Sequence, residues 1–174
     1  MKMNRREALA ASAALAGSAL LPRVAHAASA RTLAPVLNYL EWLGPRPNAA
    51  ALRDRVVLLD VFTFACENCR NITPNLRALH RRESTSDFAI IGIHTPETPY
   101  ERDPQHVLAN LGRLGITWPV AIDNDSRLWD AYGIEYWPTQ LIFDRTGTLR
   151  KRIVGDSQDA EVNATIASLL NLSA

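Results

Sequence analysis

The stretch Val56–Pro74, VVLLDVFTFACENCRNITP, constrains the fold more than any other part of this chain. Val56 to Phe62 is an apolar run rich in Val, Leu and Phe, which predicts a buried strand. Ile72, Leu76 and Leu79 trace one face of a helix behind it. Cys66-Glu67-Asn68-Cys69 therefore sits where a strand hands over to the first turn of a helix. A helix N-terminus carries unpaired N–H groups and the positive end of the macrodipole, and both favour an anion. A thiol there ionises more readily, and the thiolate is the reactive form. Cys66 is the expected exposed nucleophile. Cys69, one turn inward, is expected to attack the mixed disulfide and release the product. A purely structural disulfide here would close only four residues, worth about 2 kcal/mol against about 3 for a 15-residue loop. Half of a zinc site is the other reading, but tetrahedral zinc wants four ligands and the chain has 2 cysteines.

The surrounding residues carry a family resemblance. Asp60 stands six residues before Cys66, Pro74 five after Cys69, and Trp137-Pro138-Thr139 lies downstream. The chain resembles the thioredoxin-fold superfamily, in which these positions hold a buried acid, a helix-kinking proline and a cis-proline loop facing the cysteine pair. Within it, the nearest resemblance is to exported TlpA-like proteins of the DipZ type, carried by Thr73-Pro74, His94-Thr95-Pro96-Glu97 and Trp137-Pro138. It runs from about Ala34 to the C-terminus. One position departs: thioredoxin has an aromatic residue before the first cysteine, and here it is Ala65. The resemblance implies an α/β, thioredoxin-like fold: a central mixed sheet flanked by helices, with a helix-plus-strand insert and an N-terminal hairpin extension. The 68 residues between Cys69 and Pro138 leave room for that insert.

The first 27 residues read as a signal peptide rather than fold. Lys2, Arg5 and Arg6 precede a 14-residue apolar stretch, Ala8 to Leu21, too short for a comfortable membrane span, and Ala25-His26-Ala27 is a cleavage pattern. Arg5-Arg6 with Leu9 resembles a twin-arginine signal, although Ala8 replaces the usual bulky residue. Residues 28–174 are expected to form a single domain. The leader holds 4 of the 19 basic residues and 1 of the 18 acidic ones, so 15 basic and 17 acidic residues remain. No basic stripe is left to suggest nucleic acid.

Leu33 to Leu43 reads equally as a short helix or an edge strand. Gly44-Pro45-Arg46-Pro47-Asn48 is a turn, and Ala49 to Arg53 a short turn of helix. Phe88 to Ile93 is a second buried strand ending at His94, and makes a βαβ unit with the first. Chemistry in such sheets gathers at the strand C-terminal ends. Asp103-Pro104 opens a helix that Gly115 ends. Trp118 to Ile122 is a third strand, Leu128 to Tyr132 a short helix, and Thr139 to Phe143 with Thr148 to Val154 a hairpin. Ser157 or Asp159 caps a final helix.

Asp60 inside an apolar strand is costly when charged, so desolvation should raise its pKa and fit it to take the Cys69 proton. Trp137, Pro138 and Thr139 are expected to bind substrate, the Trp137 backbone pairing with an extended strand. Glu67, Asn68 and Glu97 are expected to modulate. Glu67 opposes a thiolate at Cys66 and so favours a reductant, with Arg70 a partial offset. Glu97 resembles an acid of TlpA-like inserts, and His94 is expected to be structural.

The leading expectation is an exported, periplasmic thiol–disulfide oxidoreductase that reduces protein or small-thiol disulfides. It would be fed by a membrane-bound thiol reductase, because that compartment is oxidising. No cofactor or metal beyond the Cys66–Cys69 redox-active disulfide is expected. Two alternatives stay open. A copper or metal-binding module suits soft thiolates, though copper chaperones of this fold use a wider Cys-x-x-x-Cys. A thiol peroxidase of the peroxiredoxin group carries Thr-x-x-Cys, and Thr63-Phe64-Ala65-Cys66 has that spacing.

Overall fold

The computed structural model describes residues 31–83 and 87–171. The proposed signal peptide lies outside them. In chain order the elements are helix α1 (Ala34–Leu37), strand β1 (Trp42–Leu43), β2 (Val56–Phe62), α2 (Glu67–Glu83) and β3 (Phe88–His94). There follow a 3-10 turn (Pro99–Arg102), α3 (Pro104–Leu114), β4 (Val120–Ile122), α4 (Arg127–Tyr132), β5 (Thr139–Phe143), β6 (Leu149–Val154) and α5 (Asp159–Asn171).

The six strands form one mixed sheet in the order β1-β4-β3-β2-β5-β6. Strands β2, β3 and β4 run parallel, and β1, β5 and β6 are antiparallel to their neighbours. Every residue of β2 is buried, as its unbroken apolar run requires of a central strand. Its side chains alternate between two layers. Val56, Leu58 and Phe62 pack with α2, α3 and α5, whereas Val57, Leu59 and Val61 pack with α1 and α4. Each fully buried Leu or Val contributes about 1.5–3 kcal/mol, so this strand anchors both layers.

The caps follow local chemistry. The Asp103 side chain accepts from the Gln105 N–H at 2.8 Å, Pro104 takes a position that needs no donor, and Gly115 ends α3 at φ 66°. Strand β4 is shorter than its apolar run. Pro119 has no N–H for the ladder, and its carbonyl instead accepts from Gly92 N–H at 2.9 Å.

The N-terminal extension is not a hairpin. It is one turn of helix followed by β1, which pairs with β4 through Trp42–Ala121 and Leu43–Val120. A return arm after Gly44 would contain Pro45 and Pro47, and two missing donors cannot sustain a ladder. Residues 49–54 form turns rather than helix.

This topology collects the chemistry at one edge. Phe62 and His94, paired in register, end two parallel strands there. Thr139 begins β5 opposite Val61 and so starts at the same edge.

Candidate active site

Cys66 is half-buried and immediately precedes the first residue of α2. Its N–H donates to the Thr63 carbonyl at 3.3 Å, and its own carbonyl accepts from Arg70 N–H at 3.2 Å. Its sulfur lies over the open first turn, where the Cys69 N–H donates toward Cys66 Sγ at 3.4 Å. An orphan helix donor thus faces the atom that must carry negative charge. Cys69 is 4% exposed. Burial pushes its thiol up, reinforced by hydrogen bonding to Cys66 and by the charge of Asp60. Both cysteines are free thiols.

Asp60 shares a face of β2 with Leu58 and Phe62, which belong to the apolar cluster containing Cys69. It is 3% exposed, and burial raises its carboxyl from the ordinary 3.8 to about 7. Its Oδ1 has no hydrogen-bond partner. Directly across the ladder stands Gln140, also buried, with an unpartnered Nε2. Sequence reasoning passed over Gln140, because a lone Gln in an apolar strand has no distinguishing pattern.

The loop before β5 supplies a flank. The Trp137–Pro138 peptide is cis. Trp137 is half-buried against Trp129, ring centroids 4.4 Å apart, and packs on the same cluster as Cys66. Thr139 Oγ1 donates to the Tyr136 carbonyl at 2.7 Å, and the Pro138 carbonyl accepts from Gly155 N–H at 2.9 Å. Among the described residues, the Trp137 backbone N–H and C=O join no hydrogen bond. Tyr136 beside it is 64% exposed.

Glu67 and Asn68 are exposed on the first turn of α2. Arg70 does not pair with Glu67. Its Nη1 donates to the carbonyls of Ala65 at 2.8 Å and Phe64 at 3.4 Å. Glu97 is exposed as well, and the carboxylate buried at this edge is Glu101. Glu101 Oε2 accepts from Thr63 Oγ1 at 2.5 Å and from Glu97 N–H at 2.7 Å. His94, fully buried, stacks on Phe64 with ring centroids 5.3 Å apart. Burial lowers its pKa to about 4, with Glu101 acting in the opposite sense, so the ring is neutral at ordinary pH. Among the described residues no group of three or more His, Cys, Asp or Glu is placed to hold a metal ion. No helix among them is long and apolar enough to cross a membrane.

Comparison with known proteins agrees with this geometry. Residues 45–169 match the family model described as Redoxin. Over 144 residues the chain is 33% identical to the protein DipZ of Mycobacterium tuberculosis, covering 82% of this chain but only 21% of that relative. It is 26% identical to the thiol-disulfide oxidoreductase YkuV of Bacillus subtilis, covering 67% of this chain and 78% of that one. A thiol-disulfide isomerase structure from Corynebacterium glutamicum superposes with a TM-score of 0.71 at 26% identity, covering 79% of this chain and 95% of the other.

Proposed function

This chain belongs to the redoxin family and has a thioredoxin-like fold, and from that premise we propose that it is a thiol–disulfide oxidoreductase working outside the cytosol as a disulfide reductase. The observation that carries the chemistry is the Cys69 N–H aimed at Cys66 Sγ on the open end of α2. The Cys66 thiolate attacks one sulfur of a substrate disulfide. The substrate S–S bond breaks, a Cys66–substrate bond forms, and the first substrate sulfur leaves as a thiolate that takes a proton from solvent. Cys69 then gives its proton to Asp60 and attacks Cys66 Sγ. The mixed disulfide breaks, the Cys66–Cys69 disulfide forms, and the second substrate sulfur departs as a thiolate that takes a proton from solvent, while Asp60 releases the proton it received. The substrate has gained two electrons and the protein has lost two, so a dithiol donor must restore it. A membrane-bound thiol reductase is the class of donor that fits an oxidising compartment.

The roles rest on environment. Asp60, poised near neutrality beneath Cys69, is matched to a proton that moves at ordinary pH. The unpaired backbone of Trp137 and the exposed ring of Tyr136 suit an extended polypeptide carrying a disulfide. Export is read from Arg5-Arg6, the apolar stretch and Ala25-His26-Ala27. The hydroxyl of Thr63, the residue that gives the chain its Thr-x-x-Cys spacing, donates to Glu101.

Equilibration of the protein in glutathione buffers, with Cys69→Ser as control, tests the direction. A potential at or below about −230 mV is expected; one near about −120 mV would make the protein an oxidant.

A further inference from the structure

The turn from Thr63 to Cys66 is held at every residue. Thr63 gives its hydroxyl to Glu101 Oε2 at 2.5 Å, and its carbonyl receives the Cys66 N–H at 3.3 Å. Phe64 lies stacked on His94 and edge-on to Tyr100, with centroids 5.3 Å and 6.0 Å away. The carbonyl of Ala65 is gripped by Arg70 from outside. The inner fastening is a carboxylate that stability alone does not favour. Glu101 is fully buried, among the described residues it has no ion-pair partner within salt-bridge distance, and its Oε1 has no hydrogen-bond partner. Burying a charge with an unsatisfied oxygen is costly, and an apolar side chain of similar size would do better in a core. What the carboxylate supplies is directional: one oxygen fixes Thr63 on the nucleophile's turn and Glu97 on the following loop, through short charge-assisted hydrogen bonds.

We infer that Glu101 is a positioning residue for Cys66, acting through the Thr63 hydroxyl to set the direction in which the Cys66 sulfur meets a substrate disulfide. The Glu101 carboxylate accepts hydrogen bonds from Thr63 and Glu97 rather than from either cysteine. It holds the residue whose carbonyl anchors the Cys66 amide. Displacement transfer needs the attacking sulfur in line with the bond it breaks, and a misplacement of about 1 Å costs on the order of 10²-fold in rate. The inference rests on the oxidoreductase reading above.

The test measures attack by Cys66 on 5,5′-dithiobis(2-nitrobenzoate) by stopped flow, in a Cys69→Ser background. The rate is followed to its high-pH plateau, so that thiolate fraction and thiolate reactivity separate. Thr63→Val and Glu101→Ala should each lower the plateau at least about tenfold. The double variant should fall no further than the worse single one, because both remove the same hydrogen bond. Thr63→Ser and Glu101→Gln keep the hydroxyl and the acceptor oxygen, and should stay within about twofold of the parent, as positioning by geometry requires. A core defect alone would lower the unfolding midpoint without moving the plateau. Plateaus for Thr63→Val and Glu101→Ala equal to the parent overturn the inference. So does a Gln or Ser variant as slow as its partner. If Glu101→Ala does not fold, the Thr63 pair carries the same comparison. A parent protein that forms no mixed disulfide at all would instead overturn the oxidoreductase reading itself.

Discussion

Replacing Asp60 by asparagine separates stability from turnover in one substitution. Burial moves this carboxyl from the ordinary 3.8 to about 7. Between those values the folded protein keeps a proton that the unfolded chain has already released. Native stability therefore falls as pH rises through that window, and the full cost is in place above the upper value. At about 1.36 kcal/mol per pH unit, the folded state of the wild type bears about 4 kcal/mol once Asp60 is ionised. Asn has the same size and never ionises. Asp60→Asn is thus expected to change stability little near about pH 4 and to raise it by up to about 4 kcal/mol near about pH 8. Urea unfolding of the reduced protein at the two pH values reads this directly. The same substitution removes the acceptor for the Cys69 proton, so the mixed disulfide at Cys66 should resolve about 10²-fold more slowly. A gain that is equal at both pH values, or absent at the higher one, would show that Asp60 is ionised at no cost. The assignment of Asp60 as proton acceptor would then fall as well.

Glu67 is exposed beside Cys66, and Arg70 is turned away to the loop carbonyls. Glu67→Gln should shift the equilibrium with glutathione toward the dithiol form by about two- to threefold at low ionic strength, and by nothing measurable at about 1 M salt; a shift that survives high salt would contradict a through-solvent charge effect. Gly92 faces Asp60 across the ladder, and a Cβ there would lie 3.0 Å from both Phe62 Cε1 and Val120 Cγ2. Gly92→Ala should cost about 1–3 kcal/mol in chemical unfolding through overpacking, and an unchanged midpoint would show that the two side chains move aside freely.

Parts of this structure whose causes are local were legible in the sequence. The β2 run, the helix face through Ile72, Leu76 and Leu79, and the Asp103-Pro104 opening of α3 each follow from patterns a few residues long, and each appears where those patterns put it. The N-terminal extension was read less well, because its partner is β4, nearly 80 residues away in sequence, and nothing near Trp42 announces that pairing. The acids at the active-site edge make the same point more sharply. Glu97 and Glu101 stand four residues apart in one loop, and by local pattern the motif around His94 singles out Glu97. In the fold Pro99 opens a single 3-10 turn, and that turn directs Glu101 inward while Glu97 stays in solvent. What makes the buried position tolerable is the hydroxyl of Thr63, a residue 38 positions earlier. A carboxylate's burial depends on its partners. Where the partner comes from a different element, the identity of the buried acid belongs to the tertiary structure and to no stretch of sequence taken alone.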